Sequence, residues 1–209
     1  MNDPIIALTF DDGPNVTITP LVLDVLEKHD VTGTFFLIGK NMTPETEPVI
    51  RRALSMGCEI ANHSYNHSYM DSMQTVEIMK EIALTEDRIR SVTGHGAAFF
   101  RPPYLAVSDE MYESIDHCFI AGLGCEDWEI EVTAKERIRR TLEQACDGAI
   151  ILLHDMEDNY PTVEALDEII VSLKGQGYHF ATLSQLFKAK HIDPGDHAIT
   201  RNKIYSVVG

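Results

Sequence analysis

The chain has 209 residues, enough for one domain with a sizeable core, and its 44% hydrophobic and 24% charged residues are ordinary for a soluble globular protein. Lys and Arg number 17 against 33 Asp and Glu, so the formal charge is −16 and the surface repels phosphate backbones and anionic lipid heads. Nucleic acid and membrane are thereby excluded as expected partners, whereas a neutral substrate is not penalised.

No stretch approaches the roughly 20 apolar residues of a membrane-spanning helix. Met1-Asn2-Asp3-Pro4 shows no basic region followed by an apolar run, so the sequence as written reads as cytoplasmic, or as secreted if a leader has been trimmed from it. Cys58, Cys118, Cys125 and Cys146 are too irregularly spaced for a disulfide scaffold and are expected to be buried thiols.

Short apolar runs alternate with longer amphipathic stretches, and strands are predicted over residues 5–10, 33–38, 58–62, 98–101, 118–122, 149–154 and 178–181. The first runs into Asp11-Asp12-Gly13-Pro14. Adjacent carboxylates at a buried strand end repel each other and require a cation or an arginine. A surface turn, or the acidic strand end of a phosphotransfer domain, has the same appearance. Thr19-Pro20 reads as an N-cap and first helical residue of a helix through His29. Gly57 marks the end of the next helix, and the third strand follows.

His63-Ser64-Tyr65-Asn66-His67 comes next. In a helix this spacing sets both imidazoles on one face, as a zinc site would use them, although nine histidines also allow a chance pair. It is not the metalloprotease helix motif, because Ser64 follows His63 where that motif has glutamate. A helix ending at Gly94 leads to the fourth strand and Arg101-Pro102-Pro103-Tyr104. The prolines fix a rigid exit, and Asp11 is the natural partner for Arg101; a plain loop with a solvated arginine is the alternative.

Asp127 and Trp128, the single tryptophan, follow the fifth strand as a stacking surface for a sugar ring or as core. Thr133-Ala-Lys-Glu136 matches a capping box before a helix ending near Cys146. The sixth strand ends in His154, which suits a general acid if a carboxylate such as Asp127 tunes it, and otherwise a hydrogen-bonded core residue. A helix ending at Gly175 and the seventh strand follow; residues 191–209 lose periodicity and are expected to wrap over the domain or fray.

Seven β-then-α units imply an α/β fold with helices outside a parallel sheet; a closed or nearly closed barrel of seven strands fits better than an open sheet, which periodicity alone does not separate from it. Residues 1–209 read as one domain, without linker or repeat. Such folds gather catalytic groups at the carboxyl ends of their strands, and the unusual residues fall there.

Taken in order, Thr-Phe-Asp-Asp-Gly-Pro, His-Ser-x-x-His, Arg-Pro-Pro-Tyr, Asp-Trp and Leu-x-His, from residue 9 to residue 154, closely resemble the five motifs of polysaccharide deacetylases. This family is also called the NodB-homology group, or carbohydrate esterase family four. The resemblance implies a distorted (β/α)7 barrel of NodB-homology type and metal-dependent removal of acetyl groups from an oligo- or polysaccharide by a monomer. It implies that Asp12, His63 and His67 hold one divalent cation, zinc by preference, with cobalt or nickel as alternatives. Asp11 would be the base, oriented by Arg101, and His154 the acid, supported by Asp127. The Tyr104 N–H would stabilise the oxyanion, while Tyr104, Trp128 and Leu152 would contact the substrate.

Two positions depart from many members: Leu105 stands where glycine is frequent, and Gly124 where an aspartate is frequent. The run from Phe99 to Leu105, Gly122-Leu123, and Pro161-Thr-Val-Glu-Ala-Leu166 look more like the acetylxylan esterase branch. Acetylated xylan is therefore the expected substrate; N-acetylglucosamine in chitin oligomers or peptidoglycan is the alternative. A catalytically silent glycan binder is a further reading, and a phosphotransfer domain lacks its phosphate-binding glycines and lysine.

Overall fold

Strand β1 (Ile5–Asp11) is buried along nearly its whole length and pairs with three others, and its alternation sets the orientation of the fold. Ile6, Leu8 and Phe10 join the apolar layer that includes Val22 and Leu26 of α1 (Ile18–Lys28) and Ile169 and Ile170 of α6 (Tyr160–Gly175). Ala7 belongs to a second cluster with Phe36, Ala61, Phe99 and Ile150, so Thr9 and Asp11, of the same parity, take that interior face. The computed structural model describes residues 3–209; Met1 and Asn2, part of the stretch read above for a leader, lie outside the described residues.

The remaining strands are β2 (Thr34–Leu37), β3 (Glu59–Asn62), β4 (Phe99–Phe100), β5 (Cys118–Ile120), β6 (Leu123–Gly124), β7 (Ile150–His154), β8 (His179–Ala181) and β9 (Ile204–Tyr205). They form one curled parallel sheet in the order β6-β7-β1-β2-β3-β4-β5-β9, with β8 beside the first half of β1. Helices α2 (Glu47–Ser55), α3 (Thr75–Thr93), α4 (Asp109–Ser114), α5 (Ala134–Gln144), α7 (Leu183–Ala189) and α8 (His197–Thr200) complete the elements. Asp11 pairs in register with His154 across β1 and β7, and Thr9 with Leu152. None of the described helices is long and apolar enough to cross a membrane.

The ends of the sheet meet. Only Ala121 and Gly122 separate β5 from β6, which lie near opposite ends of the strand order. The C-terminal segment bridges them: Ala121 N donates to Tyr205 O (2.8 Å), and Ile150 N of β7 donates to Ser206 O (3.0 Å). Val208 is fully buried there. The tail therefore wraps rather than frays, and among the described residues nine strands replace the seven expected, because the extra β6 and β9 are two residues each and carry no readable period.

Several boundaries differ from expectation for local reasons. The strand expected over residues 118–122 breaks after Ile120, and Gly122 takes φ +109° with no room for a side chain against Leu152. Helix α1 starts at Ile18 instead of after Thr19, because Asn15 Oδ1 accepts from Ile18 N (2.7 Å) and Thr19 N (3.1 Å). Thr133 caps α5 through Glu136 N (3.3 Å), but the Glu136 carboxylate turns to Arg139 and Arg140, leaving half a capping box. Helix α5 stops at Gln144. Gly94 is the left-handed cap of α3, whereas Gly175 remains helical and the left-handed turn after α6 falls at Gly177. Cys146 is exposed, unlike the three buried cysteines.

Candidate active site

At the carboxyl ends of the strands a cavity of about 350 Å³ is lined by Asp11, Asp12, His63, His67, Pro102, Tyr104, Leu105, Trp128, Leu152 and His154. Asp12 leaves β1 with φ +74°, a left-handed conformation that separates its carboxylate from that of Asp11. His63 and His67 meet Asp12 from a loop and not from a helix: Ser64 (φ +62°) and His67 (φ +57°) are both left-handed. Buried polar groups fold this loop. Asn62 Oδ1 accepts from Ser64 N (2.9 Å), Ser64 Oγ from His67 N (3.0 Å), and Glu81 of α3 from the backbone N–H groups of Tyr65 and Asn66 (3.0 and 2.7 Å).

The outcome is three ligand-type atoms within 4.8 Å of one another, on Asp12, His63 and His67. Asp12 Oδ1 is buried without a hydrogen bond of acceptable geometry, although His67 Nε2 lies 3.2 Å away and His63 Nε2 3.4 Å. His63 Nδ1 lies 2.7 Å from Arg101 O, which fixes the tautomer that leaves Nε2 free to ligate. Burial and the neighbouring His63 push the His67 pKa down, favouring the neutral ligand form. Burial alone would raise the Asp12 pKa, but the contact and charge of His63, with His154 and His67, hold it well below the usual carboxylate range. Two imidazoles and one carboxylate around an orphaned oxygen fit a divalent cation.

Arg101 is buried beneath this trio. Its Nη1 donates to Asp11 Oδ1 (2.5 Å), its Nη2 to Thr9 Oγ1 (2.9 Å), and its guanidinium lies 4.1 Å over the Phe36 ring. Burial lowers the Arg101 pKa, and the Asp11 charge opposes that shift. The second oxygen of Asp11 lies 3.8 Å from His63 Nε2, toward the cavity.

His154 closes the opposite wall. Its Nδ1 lies 2.7 Å from Asp127 Oδ1, and its backbone N–H donates to Asp127 Oδ2 (2.7 Å). Asp127 is fully buried and also accepts from Thr162 Oγ1 (2.8 Å). Buried Arg137 in turn holds Asn159 Oδ1 (2.5 Å) and Thr162 Oγ1 (2.7 Å). Burial works against the imidazolium, but Asp127, with Asp11 and Asp12, raises the His154 pKa to about 9. Trp128 stands edge-on to His154 at 5.4 Å and is 47% exposed, so it is not core. A side chain at Gly124 would meet that indole at contact distance, and Leu105 lines the cavity.

All ten positions singled out from sequence are therefore brought to one place, eight of them on the cavity wall and Arg101 and Asp127 just behind it. Sequence reading missed Asn62, Ser64, Glu81, Arg137, Asn159 and Thr162. The one available signal was a polar residue at a strand end, as in Asn62; Glu81 and Arg137, on amphipathic helices, carry none.

Residues 1–119 match the family described as "Polysaccharide deacetylase". A bifunctional xylanase/deacetylase of Pseudobutyrivibrio xylanivorans is 48% identical over 193 residues, covering 92% of this chain and 32% of that protein. The peptidoglycan-N-acetylglucosamine deacetylase PgdA of Listeria monocytogenes is 36% identical over 88% of this chain and 39% of its own length. This chain thus spans only a third to two fifths of these relatives.

Among solved structures, the Xyl-CE4 domain of a multidomain xylanase from the hindgut metagenome of Trinervitermes trinervoides superposes with a TM-score of 0.95 at 44% identity, covering 99% of this chain and 98% of that one. A family 4 acetyl xylan esterase from Clostridium thermocellum, in complex with a cobalt ion, gives 0.93 at 41% identity over 98% of both chains. The fold and cavity define a NodB-type α/β barrel, and the chain belongs to the polysaccharide deacetylase family.

Proposed function

We propose that this chain hydrolyses acetyl groups on a carbohydrate, with O-acetylated xylan or xylo-oligosaccharides as substrate. The observation that carries this reading is one cavity in which Asp12, His63 and His67 face both an Asp11–Arg101 pair and a His154–Asp127 pair. Asp12, His63 and His67 would hold a divalent cation, zinc by donor set, which supplies Lewis acidity toward the acetyl carbonyl oxygen and the attacking water.

Asp11 takes the proton of that water, and Arg101 keeps its carboxylate aimed into the cavity. The Tyr104 N–H donates to the oxygen that gains charge as the carbonyl is attacked. The bond between carbonyl carbon and sugar oxygen then breaks, and His154 delivers its proton to the departing oxygen while Asp127 supports the imidazole. Leu152 and Trp128 wall an apolar recess for the acetyl methyl.

The xylan assignment is supported by the names of the xylanase/deacetylase relative and the acetyl xylan esterase neighbour. Similarity to PgdA supports N-deacetylation as the second reading, on the same machinery. Acetate release by zinc-loaded protein, with acetylated xylo-oligosaccharides and chito-oligosaccharides assayed side by side, decides between them. Faster release from the xylan substrate is expected. Release mainly from the chitin substrate would overturn the substrate, and release from neither would overturn the activity.

A further inference from the structure

The loop carrying Tyr104 is held in an unfavourable backbone conformation. Tyr104 (φ +58°) and Leu105 (φ +56°) are both left-handed, and neither is glycine, asparagine or aspartate. The hydrogen bonds of this turn run from Leu105 N to Pro102 O (3.0 Å) and from Ala106 N to Pro103 O (3.2 Å). Among the described residues none of them uses the Tyr104 N–H. Both turns enclose Tyr104 and favour its left-handed state, and its side-chain contacts add to that hold.

Tyr69 supplies the side-chain part of that hold. Its ring stacks on the Tyr104 ring with centroids 3.9 Å apart and planes 14° apart, and the His67 imidazole packs against Tyr104 at 4.8 Å. Tyr69 has a firm base, because the next residue, Met70, is fully buried in a cluster with Ile78, Phe100 and Phe119. Such a stack contributes an energy of the same order as the cost of one left-handed residue, so it can decide the backbone state. It also covers one face of Tyr104, although Tyr104 and Tyr69 remain 54% and 58% exposed.

We infer that Tyr69 is a positioning residue for acetyl transfer to water: by stacking on Tyr104 it holds that residue left-handed and aims its N–H at the carbonyl oxygen in the cavity. This rests on the deacetylase reading above. A brace on an oxyanion donor acts on the chemical step whatever the leaving group is, whereas a sugar platform acts only on substrates that carry a sugar.

The test compares Tyr69→Ala and Tyr69→Phe on 4-nitrophenyl acetate and on an acetylated xylo-oligosaccharide, using zinc-loaded full chain. Tyr69→Ala is expected to lower kcat about tenfold on both substrates, with KM held within about twofold, because a slightly misplaced donor loses part of its effect. Tyr69→Phe, which keeps the stack, should restore the wild-type rate. In a Tyr104→Gly background, where the left-handed state carries no steric cost, Tyr69→Ala should have no further effect. Zinc affinity by calorimetry should be unchanged.

A raised KM confined to the oligosaccharide would make Tyr69 a sugar platform and overturn the inference. Unchanged rates, an undiminished effect in the Tyr104→Gly background, or a zinc affinity that falls in step with kcat would each overturn it too. Wild-type protein silent toward both substrates would instead bring down the deacetylase reading itself, and this inference with it.

Discussion

His154 is pulled in two directions, by burial against its charge and by Asp127 in favour of it, and the second prevails with a pKa of about 9. A general acid works only while protonated, so activity should fall as pH rises through that value. A cation at Asp12 offsets part of the field of Asp11 and Asp12 and draws the limb of the loaded protein downward. The diagnostic is the difference between proteins: Asp127→Asn should move the basic limb of kcat/KM at least about one pH unit lower and reduce kcat by about a hundredfold. Coincident limbs would remove Asp127 from this role. For Asp12→Ala, loss of both zinc binding and acetate release is expected, read by calorimetry and by an acetate assay. Full activity in that variant would defeat the ligand assignment.

A second buried carboxyl behaves differently. Asp155 sits under the Asp11–Gly13 turn, accepts from Thr19 Oγ1 (2.5 Å) and has one oxygen unpaired; burial, aided by the charges of Asp12 and Asp11, raises its pKa to about 7. The folded state therefore binds its proton more tightly than the unfolded chain does. Stability contributed by that proton is full below the ordinary carboxylate range and is lost as pH rises through about 7. The Tm of wild type relative to Asp155→Asn should accordingly fall between about pH 4 and pH 7 and level off above, by scanning calorimetry. A gap independent of pH would rule out this titration.

Among the elements, the strand ends were the most legible part of the sequence. Asp11, Arg101 and His154 terminate apolar runs, and a charge at such a place is conspicuous. The supports were not, because a polar side chain on an amphipathic helix looks the same whether it meets water or a buried partner. Arg137 is the clearest case: on a helix rich in Arg and Glu it reads as solvated, yet it is buried and joins α5 to Asn159 and Thr162 behind Asp127. The His63–His67 spacing would set both rings on one face only in a helix. Spacing carries no information on backbone sign, and here Ser64 and His67 take positive φ. Replacing Arg137 by Met should destabilise the protein by about 3 kcal/mol in urea unfolding, since two buried acceptors and the Val132 carbonyl lose their donor. It should also lower kcat by loosening Asp127. A stability change under about 0.5 kcal/mol would show that these groups find other partners.

For the molecule as a whole, the parallel sheet followed from the alternation of elements and a closed or nearly closed barrel was its expected form, whereas the strands that close it were not legible, because β6 and β9 are two residues each. Closure depends on the segment from Ile204 to Val208, which pairs with β5 on one side and meets Gly148 and Ile150 on the other. Deleting residues 204–209 should expose the edge of β5 and the N–H of Ile150, costing about 3 kcal/mol or more. The urea midpoint would fall and binding of an apolar dye would rise; an unchanged midpoint would make the segment dispensable.

That closure also dictates a timetable. A chain leaving the ribosome offers β1 before the other strands, yet β1 finds its β7 partners only when residues 150–154 emerge and its β8 partners when residues 179–181 do. The ring is sealed by residues 204–208, made after every other strand. Until residues 150–181 emerge, the longest strand stands with an open edge in a crowded cell, exposed to mispairing. The acidic balance of the sequence, −16 over its whole length, helps to keep such half-made copies apart.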